Sequence, residues 1–229
     1  MESAEIRRFW KLLHGLAGTD DAQFLYGNDA AGRLRERNLR RYLELMDRIG
    51  PRMLLIGEAP GYRGHAVTGI PFMSVAQLRA RPGLITGAPE GDGFEVPTDT
   101  PALSEASSTV VWRTVAVLRG PAPMFWPVYP NHPHEPGRPL TNRPPRTAEV
   151  TQGTPIALAL MAAFRIRMIV AVGRKAQGAL ARNGVEAVPI RHPAQGGART
   201  FAAQLARLDQ EDGPYGSSPG SSGRAPGER

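Results

Sequence analysis

The junction between Met53-Leu54-Leu55-Ile56 and Gly57-Glu58-Ala59-Pro60-Gly61 restricts the fold of this chain more than any other feature. Four consecutive apolar residues without polar alternation describe a strand covered on both faces, as in a parallel sheet between helices. The strand stops at once in a turn bounded by Gly and Pro, which leaves Glu58 at its carboxyl end. Open α/β sheets collect their ligands there. A second polar turn, His192-Pro193-Ala194, closes the later apolar segment Ala187–Ile190 in the same manner. If the two strands lie parallel in one sheet, the two turns meet in space.

The rest of the chain supplies such a sheet. Ile6, Phe9, Trp10, Leu13 and Leu16 recur at helical spacing over residues 3–16, and Leu34, Leu39, Leu43, Met46 and Ile49 over residues 30–49, where Gly50-Pro51 stops the second helix. Further helices are expected over 104–118, 151–164, 175–182 and 198–208, and strands over 124–129, 168–172 and 187–190. Residues 73–100 read as a long surface excursion, and 130–146, with six prolines, as an irregular loop. Strands alternating with helices imply an α/β fold, a three-layer αβα sandwich with a four-stranded parallel sheet and right-handed crossovers. The expected organisation is one domain over 1–212, with N-terminal helices in 1–50 and an α/β core in 51–212. A Gly-, Ser- and Pro-rich tail, 213–229, is expected to be disordered.

Composition narrows the chemistry. There is no cysteine, so disulfides, thiolate nucleophiles and cysteine-ligated metals or clusters are excluded. No run approaches the roughly 18 apolar residues of a membrane span, and the N-terminus lacks a signal-peptide pattern. A cytoplasmic protein, monomeric and away from membranes, is the expectation. Net charge is +7, unevenly spread: from Ala106 to Leu208 thirteen basic residues face only Glu135, Glu149 and Glu186. A preference for Arg explains 26 Arg against two Lys, but not the missing acids. A one-sided basic surface points to a polyanion, and a nucleic acid is the expected partner. Arg174 and Lys175 at a helix start, Arg191 and Arg199 around His192, and Gln195 and Gly196 in the adjoining turn are the expected contacts to it. His132, His134 and Glu135 are too few to make a convincing metal site; no metal or other cofactor is expected.

Gly57-Glu58-Ala59-Pro60-Gly61 with Gly69-Ile70-Pro71-Phe72 resembles the first motif of the uracil-DNA glycosylase superfamily in its family 4 form, and His192-Pro193-Ala194 resembles the third motif. Tyr129-Pro130-Asn131 stands after the second strand, where that family keeps a base-reading Asn. The resemblance implies a base pocket built from Gly57, Ala59 and Gly61. In it Phe72 stacks on the flipped base, Asn131 reads its edge and His192 donates to uracil O2, while Glu58 or His65 handles water or the sugar cation. Asn142, in an Asn-Arg-Pro segment, is the rival to Asn131, with a loop-shaping role. The chain departs from the family pattern in four ways. It has no iron–sulfur cysteines, Gly64-His65 replace an acidic pair, and Ala59 and Gly61 stand where a water-binding Asp and a thymine-excluding Tyr occur elsewhere. The Leu that wedges into the duplex is also missing, leaving Gln195 or Arg199 for that task. The implied activity is a monofunctional glycosylase that removes uracil from DNA in base-excision repair, with other deaminated or modified bases as further candidates. The alternative is a non-catalytic relative that binds unusual bases in regulation or phage defence.

Overall fold

The structure, a computed structural model, describes residues 3–98 and 100–211. The expected tail at 213–229 lies outside these residues. Four parallel strands form the main sheet: β2 (Met53–Gly57), β3 (Met124–Pro127), β5 (Met168–Val172) and β6 (Val188–Ile190), in the order β3-β2-β5-β6. Register pairs Leu55 with Phe125 on one side and with Val170 on the other, so β2 is central and wholly buried. Because β3 lies on one side of β2 and β5 on the other, strand order reverses at β2. The crevice at its carboxyl end is therefore a topological switch point.

Helices flank this sheet, giving the expected αβα sandwich. On one side α1 (Ala4–His14) packs on α6 (Thr147–Ala163), which also meets α7 (Arg174–Arg182). Elsewhere α5 (Ala106–Val115) packs on α8 (Ala198–Glu211), and α2 (Ala30–Ile49) on the single turn α3 (His65–Thr68). The alternation of β3 serves both layers. Phe125 meets Trp112 of α5, and its neighbour Trp126 meets Phe9 of α1 edge-on at 5.2 Å. One hydrophobic cluster runs from Phe9 to Leu208, so the N-terminal helices belong to the same core as the sheet.

As an edge strand, β3 has backbone groups with no neighbouring strand to receive them. Tyr42, fully buried on α2, accepts the Phe125 N–H at 2.7 Å and so closes that edge. Three features depart from the sequence expectation. The helix expected over 151–164 is α6, which begins four residues earlier, at Thr147. A short helix, α4 (Val75–Ala80), interrupts the excursion after residue 73; its start is a capping box in which Ser74 and Gln77 satisfy each other's backbone N–H. The loop after β3 is tied down by a two-residue strand, β4 (His132–Pro133), antiparallel to β1 (Ala22–Gln23). None of the described helices is long and apolar enough to cross a membrane.

Tyr42→Phe leaves the buried Phe125 N–H without a partner. It is expected to destabilise the protein by about 1–3 kcal/mol in urea unfolding. An unchanged midpoint would show that the edge needs no such closure.

Candidate active site

The end of β2 is held from both sides before any chemistry is considered. Past the last sheet residues, Val128 N–H donates to Gly57 O (2.9 Å) and Tyr129 N–H to Glu58 O (3.3 Å), so the turn stays zipped to the chain after β3. Farther along, His132 Nδ1 bonds Pro60 O (2.7 Å) and its Nε2 bonds Pro139 O (3.0 Å). Asn142 Oδ1 accepts the Tyr62 N–H at 3.1 Å. On the other flank Gly173 N–H donates to Ile190 O (2.8 Å), which draws the ends of β5 and β6 together beneath His192. A Cβ at Gly173, whose φ is +88°, would come 3.0 Å from His192 Cβ.

These loops enclose a cleft of about 180 Å³. Gly57, Glu58, Ala59, Pro60 and Gly61 form one wall; Pro71 and Phe72 form another. His65, Glu105, Ser107, Pro127, Asn142, Arg143 and His192 complete it. A cavity of about 600 Å³ between α1, α2 and the end of α6 is larger, but none of the strand-end loops reaches it.

Phe72 is the most constrained wall. Its backbone adopts a left-handed φ of 53°, unusual for a bulky residue, and Trp112 Nε1–H pins its carbonyl at 2.8 Å. Its ring lies over Gly57 so closely that a Cβ there would sit 3.1–3.2 Å from the ring carbons. Behind it Phe125 packs with ring centroids 5.4 Å apart.

The polar groups differ in charge state. His192 Nδ1 accepts the Ala194 N–H at 3.1 Å, so the neutral ring carries its proton on Nε2. Burial, with Arg191 and Lys175 nearby, holds its pKa below the ordinary value and favours that neutral form. His65, buried in α3, shares a 2.9 Å hydrogen bond with the Tyr26 hydroxyl. Burial, then Arg35 and His132, push its pKa down to about 3. Glu58 is raised by burial, against the opposing pull of Lys175, whose Nζ lies 3.5 Å from Glu58 Oε1. Glu105 is raised by burial, and its partners are the hydroxyls of Ser108 and Ser107.

The family model for the uracil DNA glycosylase superfamily matches residues 44–209, well over half of the chain. The chain belongs to the uracil DNA glycosylase superfamily. Among solved structures, the crystal structure of wild-type SMUG2 from Pedobacter heparinus superposes with a TM-score of 0.57. It is 12% identical and covers 92% of this chain and 98% of that one, which is a likeness of fold. Among curated proteins no sequence matches significantly.

Within the superfamily frame, Gly57, Glu58, Ala59, Gly61, His65, Phe72 and His192 come together around one cleft. Asn131 does not line it. It is buried below the loop, its Nδ2 donating to Ala17 O (2.9 Å) and to the Tyr129 hydroxyl (3.2 Å). The asparagine at the cleft is Asn142. Arg174, Arg191, Gln195, Gly196 and Arg199 are exposed around the β5 and β6 ends, but Lys175 is engaged by Glu58. The Arg191 guanidinium donates to Gln195 O (3.3 Å) and shapes its own turn, in which Gln195 and Gly196 both have positive φ. His132 lies between two loop carbonyls, Pro60 O and Pro139 O, and in its neutral form donates to one of them at a time. Sequence reasoning missed Glu105 and Ser107, which reach the cleft from the start of α5; a lone Glu before a helix carries no distinguishing signal.

The His65 shift has a thermodynamic sign. Its folded pKa of about 3 lies below the ordinary 6.5, so between those values the unfolded chain binds a proton that the native one refuses. Stability is expected to fall as pH drops through this window, by up to about 1.4 kcal/mol per unit from this group. Replacing His65 with Gln should flatten the pH dependence of urea unfolding between about pH 4 and 6.5; an equal slope in both proteins would mean that His65 titrates in the folded state.

Proposed function

We propose that this protein is a monofunctional DNA glycosylase that removes uracil from DNA, working as a cytoplasmic monomer in base-excision repair. The observation that carries this reading is the His192 ring. Its Nδ1 is occupied by a backbone N–H, so a fixed Nε2–H donor is left at the wall of a cleft faced by a pinned aromatic ring.

A glycosylase acting on a duplex draws the nucleotide out of the stack and holds the base in a pocket, at a cost of a few kcal/mol. The cleft, about 180 Å³, is smaller than the roughly 300–1,000 Å³ of sites for drug-sized ligands and suits a single pyrimidine ring. Phe72 provides the stacking face, held rigid by Gly57, Trp112 and Phe125. As the C1′–N1 bond breaks, its electron pair moves into the uracil ring and charge builds on O2. The His192 Nε2–H meets that charge without the reorganisation that water would need. The deoxyribose gains positive charge, which the Glu58 carboxylate at the cleft wall offsets. Arg174, Arg191 and Arg199 around the mouth suit the backbone phosphates.

Uracil-containing oligonucleotides, single- and double-stranded, treated with alkali after incubation, test the activity directly. Abasic cleavage is expected, and His192→Ala should lower single-turnover excision by about 100- to 1,000-fold. Near-normal excision by that variant would remove His192 from the leaving-group role. Tight DNA binding without abasic product at stoichiometric protein would make the chain a binding relative instead.

The two asparagines are separable. Asn142→Ala is expected to weaken uracil excision by about 5- to 10-fold, the equivalent of one hydrogen bond of roughly 1 kcal/mol, with little change in melting. Asn131→Ala is expected to lower stability by about 1–3 kcal/mol through its lost internal contacts. Excision lost with Asn131 at unchanged stability would return the base-reading role to that residue.

A further inference from the structure

Resting on the glycosylase reading, we propose that Glu105, at the start of α5, is the catalytic carboxylate that takes the proton of the attacking water. Three observations lead to it.

The first is the poverty of the strand-end turn itself. Ala59 and Gly64 carry no polar side chain, and the Glu58 carboxylate is paired with Lys175. A carboxylate held by an ammonium is a weaker base than one held by hydroxyls. His65, whose ring is bonded to Tyr26, is a poor proton acceptor in its buried setting.

The second is steric. Glu105 reaches into the space that Gly61 and Gly64 leave bare. A Cβ at Gly64 would overlap Glu105 Oε2 outright, and one at Gly61 would press on Oε1 at 3.3 Å. The missing side chains of the turn and the arriving carboxylate are thus complementary shapes. The acid enters the same cleft as His192 from a different element of the fold.

The third is how the carboxylate is held. Glu105 occupies the N-cap position of α5, where its side chain makes no capping hydrogen bond. Instead the Ser108 hydroxyl lies 3.2 Å from Oε2 and 3.0 Å from the Glu105 carbonyl, fixing the side chain on its own backbone. Burial raises its affinity for a proton, which strengthens it as a base, and the adjoining helix N-terminus favours its ionised form. A carboxylate placed in the cleft and not used as a cap has its base function free.

The step balances with groups already present. Water oxygen bonds to C1′ of the deoxyribose as the C1′–N1 bond opens. The N1 electron pair leaves with uracil, whose O2 is held by His192. One water proton passes to the Glu105 carboxylate and is returned to the departing base or to solvent.

The test compares wild type, Glu105→Gln, Glu105→Ala and Glu58→Gln in single-turnover excision from a uracil oligonucleotide. Affinity is read in parallel on a 2′-fluoro uracil oligonucleotide that resists cleavage. Glu105→Gln is expected to lose at least about 100-fold in rate with its Kd within about threefold of wild type, the range general base catalysis supplies. Glu58→Gln should lose less. Sodium formate, which can enter the hole left in Glu105→Ala, should restore part of the rate, whereas sodium chloride at equal ionic strength should not. An active wild type with Glu105→Gln within threefold of it overturns the assignment alone. So does an active Glu105→Ala indifferent to formate. A wild type that yields no abasic product overturns the glycosylase reading and this assignment with it.

Discussion

The site depends on one close approach, that of the Phe72 ring to the bare Cα of Gly57. A buried parallel strand needs continuous apolar side chains to hold its place, and β2 has them up to Ile56. At Gly57 the requirement reverses, because a Cβ would meet the ring carbons at 3.1–3.2 Å. The absence of a single methyl group therefore lets an aromatic face stand directly over the end of the central strand. Phe72 holds an unfavourable left-handed backbone to reach it, and Trp112 fixes that backbone through the Phe72 carbonyl. Strain of this kind persists only where surrounding structure over-determines it. Here the surroundings are α5 and β3, so the α-helical layer and the sheet edge both bear on the placement of one ring.

The electrostatics follow from the same burial. Moving ionisable groups out of water disfavours their charged forms, and the cleft shows this in both directions. Its imidazoles are driven neutral and its carboxyls toward protonation. A neutral His192 with Nδ1 occupied offers a donor at Nε2 without placing a full positive charge beside the arginines. Arg174, Arg191 and Arg199 add positive charge at the exposed rim, where solvent remains. A fixed His192 donor inside the cleft and a cationic rim outside it suit a reaction in which anionic DNA must be drawn in and negative charge then develops on a departing base.

Much of the fold was legible because its signals are local. The four strands, with the helices at α2, α7 and α8, follow from apolar periodicity and Gly or Pro stops, to within a few residues at their ends. α4 was equally legible in principle, since Ser74 and Gln77 stand at capping-box spacing, but the surrounding Gly and Pro content obscured it. The expected helix at 151 begins at Thr147, because the Glu149 carboxylate accepts the Arg146 N–H at 2.6 Å and closes the first turn immediately after Pro144-Pro145. The two-residue strands β1 and β4 had no such signal; they pair because the long loop must be tied to the N-terminal segment. Charge is less local than periodicity. Arg143 and Arg146, counted toward a basic surface, are bound by Asp21 and Glu149. Asp21 comes from residues 1–105, which carry 13 basic and 14 acidic groups, so counting charge by segment overstated what remains free.

The same non-locality explains the asparagines and the acid. Motif position ranks Asn131 first, because it follows β3 directly, yet the loop turns its amide inward to Ala17 and Tyr129. Asn142, eleven residues on, is returned to the cleft by the long loop and bonds the Tyr62 N–H of the first turn. Glu105 shows the principle more sharply. A strand-end loop can lose its acids without the site losing a carboxylate, provided the vacated volume is filled from a neighbour. Gly61, Gly64 and Glu105 make one steric unit, in which the loop supplies the space and α5 the oxygen atoms. A larger residue at Gly64 would expel the Glu105 carboxylate before it contributed any chemistry of its own. The turn after β2 is on this view a frame, and its function lies in what it leaves room for.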